Sequence, residues 1–365
     1  MSEQMTTDVV TEVHGRLGCI TLNRPKALNA LSLDMVKTLA QTLSRWQSDP
    51  EILAVVVRGQ GKDGPFGSFC AGGDIRFFHQ AAVAGDSALE DFFTEEYALN
   101  HLIHTYRKPY IAFMDGIVMG GGMGISQGAS LRVVTERTKM AMPETHIGLF
   151  PDVGGGYFLS RCPGAMGEYL GLTGHVLVGS QALAAHLADG LIESGRLANI
   201  WQTLTSTPFE TGEAVEHWVR SQFARQEVPA FPARTQMNAV FGKSSVVEMI
   251  QSLEASSDEW SQATAKILRH RSPLMLHVVL AQIRKARHMG LADDLRMERD
   301  MVHHCFYMRS ISECETVEGI RALAIDKDHT PSWKPEKIED VSMDEVQAFF
   351  VSPWSAQDHP LAKLN

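Results

Sequence analysis

Two glycine-rich turns, each following a segment that reads as a strand, are the first places in this sequence where chemistry could be done: Ala71-Gly72-Gly73-Asp74 and Gly120-Gly121-Gly122. With no Cβ in the way, both can turn backbone N–H groups outward. Two such donors converging on one oxygen would form an oxyanion hole, which stabilises the negative charge a carbonyl gains as it becomes an enolate or a tetrahedral adduct. The same glycines would equally serve tight turns and close strand-to-helix packing. Neither turn fits a phosphate loop, since no GxxxxGK[ST] occurs, and no complete GxGxxG opens a helix after a strand. Nucleotide hydrolysis and dinucleotide-dependent redox therefore lose their main supports.

Gly124-Ile125-Ser126-Gln127-Gly128 matches GxSxG and would suit a serine hydrolase of the α/β type. A nucleophile elbow puts its serine on the turn directly after a strand, whereas here residues 120–122 take that turn and Ser126 falls in the helix that follows. Ser126 is expected in the core or on a helix face. His303-His304-Cys305 invites a metal reading, but neighbouring helix residues point in different directions and no HExxH occurs, so no metal site is expected.

The elements that must position these groups alternate in the first half of the chain. Cys19-Ile20-Thr21-Leu22 reads as a strand, and Ser32 is a good N-cap for the helical run Leu33, Val36, Leu39, Ala40, Leu43. Residues 52–57 read as a buried strand, 63–73 as a Gly-rich loop, 88–106 as a helix ending before Lys108-Pro109, and 110–114 as a strand. This alternation predicts an α/β fold. Beyond Gly190 the pattern turns to helical periodicity and polar loops, with helices predicted over 211–225, 274–288, 291–309 and 313–324. Pro331, Pro335, Pro353 and Pro360 punctuate the tail. The chain is thus expected to divide into a core over residues 1–199 and a helical extension over 200–365.

The 365 residues are 44% hydrophobic and 21% charged, an ordinary globular composition. A net charge of −10 argues against nucleic-acid binding, which needs basic patches to displace phosphate counterions. No apolar run reaches membrane-span length, so no membrane partner is expected. Cys19, Cys70, Cys162, Cys305 and Cys314 form no CxxC pair and are odd in number, which predicts reduced thiols in a reducing compartment. The opening MSEQMTTDVVTEV lacks the marks of a signal or transit peptide, so a cytoplasmic location is expected, or the mitochondrial matrix for a processed eukaryotic chain.

Three segments resemble the signatures of the crotonase (enoyl-CoA hydratase/isomerase) superfamily, in the family's order: FCAGGDIRFF at 69–78, YIAFMDGIVMGGGMGIS at 110–126 and MPETHIGLFPDVGGGYFLSR at 142–161. ITLNRPKALNAL at 20–31 is similar to the family's first strand and CoA-facing loop. The resemblance implies a spiral of ββα units, an acyl-CoA substrate, no separate cofactor because CoA belongs to the substrate, a possible homo-oligomer, and the amides of Gly73 and Gly121 as the oxyanion hole.

Hydratases of that superfamily carry one glutamate in the helix after the GGG turn and a second in a later PE pair. Here position 124 is glycine, while Glu144 follows Pro143 in the PE position. Asp152, in GLFPDVGGGYF, adds a carboxylate where hydratases and isomerases have none. This pair resembles the 3-hydroxyisobutyryl-CoA hydrolases, as do LRMERDM at 295–301, EGIRALAIDKD at 318–328 and the Trp-Lys-Pro at 333–335. That likeness implies hydrolysis of a short 3-hydroxyacyl-CoA in valine degradation. Glu144 would act as nucleophile or general base, Asp152 as a partner of the 3-hydroxyl or of water, and Glu96, in FFTEEYALN, as a pocket residue. An enoyl-CoA isomerase or hydratase, and a non-catalytic scaffold of the same fold, stay open.

Overall fold

The computed structural model describes residues 7–225 and 230–365; residues 1–6, part of the stretch read for a targeting signal, lie outside the described residues. The run Ala54-Val55-Val56-Val57 is wholly buried and, after Ala54, β-branched, the mark of a strand covered on both faces in the middle of a parallel sheet. The strands are β1 (Val9–His14), β2 (Leu17–Leu22), β3 (Ala54–Gly61), β4 (Gly64–Pro65), β5 (Tyr110–Met114), β6 (Ile117–Met119), β7 (Leu131–Val134), β8 (Lys139–Ala141), β9 (Leu177–Val178) and β10 (Gly190–Leu191). The main sheet has the order β1-β2-β3-β5-β7-β10, with β4 paired to β3. Its neighbours run parallel except for β1–β2 and β3–β4. A second sheet has the order β6-β8-β9.

Register turns this sheet into a core. Cys19, Val56, Ile111 and Leu131 lie side by side across four strands. They belong to one buried cluster with Leu197, Ile200, Trp201 and Leu204 of helix Leu197–Ser206 and Val215 and Val219 of helix Gly212–Arg220. The strand residues repeat every second position and the helix residues every third or fourth, so each element offers one apolar face. Each fully buried aliphatic side chain contributes about 1.5–3 kcal/mol. Helix Leu33–Ser48 starts where expected, with the Ser32 hydroxyl accepting from the Met35 amide at 3.3 Å.

The chain forms two compact units. One gathers residues 7–73, 99–140 and 177–225 and contains the main sheet; the other gathers 74–98, 141–176 and 230–365. In the second, helix Pro273–Ala286 packs against helices Gly155–Leu159 and Met166–Thr173, and Phe78, Phe92, Phe93, Tyr97 and Phe306 form a chain of ring contacts. Among the described residues every element after β10 is helical. Helices Pro273–Ala286 and Leu291–Tyr307 match the expectation closely. The helix expected over 211–225 stops at Arg220, and the one expected over 313–324 is a helix Glu315–Ile320 that widens into a π-turn, Arg321–Ile325. Three short helices, Arg234–Phe241, Val246–Glu254 and Glu259–Arg269, occupy a stretch of the extension for which no helix is predicted. All five cysteines are buried and no disulfide joins them.

The loop leading to the first glycine turn lies flat on the helix that follows the second. A Cβ added at Gly122 would sit 2.3 Å from the backbone oxygen of Cys70, which has no flexible end to move aside. Overpacking of this kind costs about 1–3 kcal/mol, so Gly122→Ala is expected to lower Tm by about 1–4 °C in thermal unfolding. A variant melting with the parent would contradict this packing.

Candidate active site

The two glycine turns, separate in sequence, meet in the sheet-bearing unit. Cys70 bridges Val118 in parallel: its amide donates to the Ile117 oxygen at 2.9 Å, and the Met119 amide donates to the Cys70 oxygen at 3.0 Å. The Leu31 amide donates to the Gly72 oxygen at 2.8 Å, and Gly73 bridges Leu31. Gly72 has φ +106°, and a Cβ there would lie 3.2 Å from the Met119 oxygen and 3.6 Å from the Gly121 nitrogen. The backbone just before Gly73 therefore packs against Gly121. Asn29, from the segment resembling a CoA-facing loop, is buried, and its Nδ2 donates to the oxygens of Gln60, Ser68 and Phe69 at 3.0–3.1 Å. It ties the loop at 59–69 to the segment after β2.

Ser126 is buried inside helix Gly121–Gln127, and its Oγ donates to the Gly122 oxygen at 2.8 Å. A hydroxyl spent on its own helix has no base to activate it. Gly124, on the same helix, leaves it without a carboxylate. His303 faces Glu90, with Nδ1 3.3 Å from Oε2, and stacks on Tyr307, while His304 bonds to the Val351 oxygen. Among the described residues no three His, Cys, Asp or Glu side chains are grouped to hold a metal.

The carboxylates lie in the helical unit. Glu144 opens a 3-10 turn, Glu144–Ile147, anchored on three sides. Thr145 Oγ1 donates to the Leu172 oxygen, the Ser272 amide to the Thr145 oxygen, and Thr316 Oγ1 to the Gly148 oxygen at 2.7 Å. Asp152 sits in the next loop and accepts from the Tyr97 hydroxyl at 2.8 Å. Glu96, Glu144 and Asp152 are each no more than 6% exposed, and Glu96 Oε1 and Glu144 Oε2 have no hydrogen-bond partner. Burial pushes Glu144 well above the usual carboxylate range, helped by the negative charge of Asp152. Burial does the same to Glu96, with the charges of Asp152 and Glu144 adding to it. Asp152 is pushed up to about 7 by burial, against the hydrogen bond from Tyr97 that favours its charged form.

Three interacting carboxylates, one of them poised near neutrality, can hold or release protons at physiological pH, the equipment of general acid–base catalysis. Tyr97 was not singled out by the sequence reading, although it directly follows Glu96. A buried tyrosine in an aromatic-rich helix gives no local sign that its hydroxyl meets a residue 55 positions away.

The family model described as enoyl-CoA hydratase/isomerase matches residues 17–350. The chain is 40% identical over 344 residues to a Xenopus tropicalis protein named 3-hydroxyisobutyryl-CoA hydrolase, mitochondrial, covering 93% of this chain and 87% of that one. It is 36% identical to the human protein of the same name, covering 94% and 89%. Among solved structures, a carnitinyl-CoA dehydratase from Mycobacterium thermoresistibile superposes with TM-score 0.87 at 34% identity, covering 99% of this chain and 100% of that one. An enoyl-CoA hydratase from Rhodobacter sphaeroides 2.4.1 gives 0.83 at 32%, covering 95% and 98%.

The raised pKa of Asp152 has a consequence for stability. Its ordinary value is 3.8 and its folded value about 7, so between these the folded chain keeps a proton that the unfolded chain has released. Stability from this group is therefore greatest at low pH and falls as pH rises from about 4 to about 7. Asp152→Asn, which cannot ionise but can still accept from Tyr97, is expected to raise Tm by several degrees at about pH 8 and by clearly less at about pH 5. Equal gains at the two pH values would mean that Asp152 is not buried as a reluctant acid.

Proposed function

The chain belongs to the enoyl-CoA hydratase/isomerase family, and on that premise we propose that it hydrolyses the thioester of a short 3-hydroxyacyl-CoA, first of all 3-hydroxyisobutyryl-CoA, releasing 3-hydroxyisobutyrate and free CoA. The observation that carries this reading is Asp152, buried and held by Tyr97, whose charge acts on both Glu144 and Glu96. A hydratase uses two carboxylates to position water and move its protons, yet the helix after the second glycine turn carries Gly124. An isomerase shuttles a proton with one carboxylate and has no work for Asp152. A hydrolase that recognises a 3-hydroxyl does. The names of the curated relatives point the same way.

In this reading the amides of Gly73 and Gly121 polarise the thioester carbonyl and hold the negative charge that its oxygen gains. Glu144 starts the reaction at the carbonyl carbon, either by adding its own unpaired oxygen or by taking a proton from a water that adds. The C–S bond then breaks, the CoA sulfur takes up a proton, and the acid leaves carrying an oxygen that water supplies. Where Glu144 acts as the base, the pKa raised by burial makes it the stronger acceptor of the water's proton, which it then passes to the departing sulfur. Asp152 holds the substrate hydroxyl, and Glu96 lines the acyl pocket. CoA enters as part of the substrate, and the scheme needs no cofactor or metal. The step belongs to valine breakdown. The five buried thiols suit a reducing compartment, the cytoplasm or a mitochondrial matrix, and no helix among the described residues is long and apolar enough to cross a membrane.

Thiol release from matched acyl-CoAs tests this. A site built to hydrogen-bond a hydroxyl rejects the analogue lacking it by up to roughly 10⁴-fold, so wild type should strongly prefer 3-hydroxyisobutyryl-CoA over isobutyryl-CoA. Asp152→Gly should erase most of that preference, and Glu144→Ala should abolish turnover while the fold persists. Ser126→Ala should cost little. If wild type released no thiol from any 3-hydroxyacyl-CoA but moved the double bond of a 3-enoyl-CoA, with Asp152→Gly unaffected, isomerisation would replace hydrolysis.

A further inference from the structure

The loop that carries Asp152 leads into helix Gly155–Leu159, whose N-cap is Gly154, a residue with no side chain to cap it. The first amides of a helix have no partner within it and need one from elsewhere. Here they are supplied from far along the chain. Glu298 Oε2 accepts from the Gly154 amide at 2.7 Å and Oε1 from the Gly156 amide at 2.9 Å. Asp294 Oδ2 accepts from the Tyr157 amide at 2.9 Å, and the Gly155 amide is taken by the Asp152 oxygen at 2.8 Å. Gln282 Nε2 donates to the Pro151 oxygen at 2.7 Å and to Glu298 Oε1 at 3.0 Å.

Both ends of the segment holding Asp152 are thus fixed by one pair of facing helices. Asp294 and Glu298 lie one turn apart on helix Leu291–Tyr307, and Gln282 comes from helix Pro273–Ala286. Asp294, Glu298 and Gln282 are fully buried. The approach explains the glycine at 156, since a Cβ there would lie 2.5 Å from Asp294 Oδ1. Holding a second carboxylate pair in the interior is costly. Burial raises the pKa of Glu298 well above normal, and the negative charge of Asp294 raises it further. For capping one short helix alone, a serine or aspartate at the N-cap would do the same work locally.

We propose that Glu298 is a positioning residue for recognition of the 3-hydroxyl: by gripping the amides of Gly154 and Gly156 it fixes the turn that aims Asp152, and so sets the discrimination between 3-hydroxyacyl-CoA and plain acyl-CoA. The inference rests on the function proposed above. Glu298→Gln keeps the size of the side chain but sets an NH2 group against one of the two amides.

Hydrogen exchange of the Gly154 and Gly156 amides tests the grip by itself. Exchange at least about 10-fold faster in Glu298→Gln than in wild type is expected, and unchanged exchange overturns the proposal whatever the substrate. Kinetics test the link to specificity. The ratio of kcat/KM for 3-hydroxyisobutyryl-CoA to that for isobutyryl-CoA should fall about 10-fold or more, since small misplacements of a catalytic group cost up to about 100-fold, while turnover of isobutyryl-CoA should change less than about 3-fold. A variant that has merely lost folded enzyme would lower both rates in equal proportion and leave the ratio alone, and that outcome also overturns it. Should Glu298→Gln fail to fold, Gln282→Leu removes the donor to Pro151 and Glu298 but leaves the carboxylate. Its ratio should fall by about 3-fold or more, and an unchanged ratio there decides against the proposal. If wild type itself shows no preference for the 3-hydroxyl while the amides loosen, the functional reading fails and the grip stands without its link to specificity.

Discussion

Carboxylates buried without a cation are the constraint around which the helical unit is built. Glu96, Glu144, Asp152, Asp294 and Glu298 are all buried, and none forms an ion pair with a lysine or arginine among the described residues. Ionising such a group in a low-dielectric interior is expensive, so each holds its proton to a higher pH than it would in water. The chain offsets the cost with hydrogen bonds from neutral donors, the Tyr97 hydroxyl and the amides of Gly154, Gly156 and Tyr157. Neutral donors lower the cost without fixing the charge, which leaves the protons free to move. The next residue along the same helix shows the alternative. Arg299 pairs with Glu90, and although burial works against the charged form of Glu90, the His303 hydrogen bond and the Arg299 charge pull its pKa below normal. One helix thus presents an acid with no cation, Glu298, beside an arginine that neutralises an acid of another helix.

The sheet-bearing unit solves a different problem, bringing two backbone turns close together. Side chains cannot do this because they occupy the space. The solution is to remove them at Gly72 and Gly122, and to use Asn29 as a three-way donor that ties the loop down. The packed face of the sheet, from Cys19 to Leu131, is the buried core of the same unit.

Local signals made the first half of this architecture legible. Ser32 capped its helix as expected, β5 has the expected bounds, and the glycine turns are where chemistry was sought. Residues embedded in dense motifs, Glu144 and Asp152, could be singled out because their neighbours are unusual. What could not be read were partners distant in sequence. Gly154 and Glu298 stand 144 positions apart, and in a helix as rich in charge as Leu291–Tyr307 no local spacing says which of its acids caps a distant turn. The three short helices between 234 and 269 escaped for another reason. Each spans about two or three turns, too short for periodicity to rise above its polar residues, and packing of Met237, Phe241, Met249 and Leu268 against the rest of the unit makes them helical.

The buried cysteines bear on how an enzyme survives its own product. Free CoA is a thiol, and once oxidised it becomes a disulfide that exposed protein thiolates attack to form mixed disulfides. Attack requires both access and a thiolate. The cysteines here are sequestered, and burial pushes Cys19 up to about 12 and raises Cys305 and Cys314 as well. The folded protein is therefore a poor target for coenzyme A capture, and a disulfide reagent used to count the CoA it liberates would register the product with little background from the catalyst.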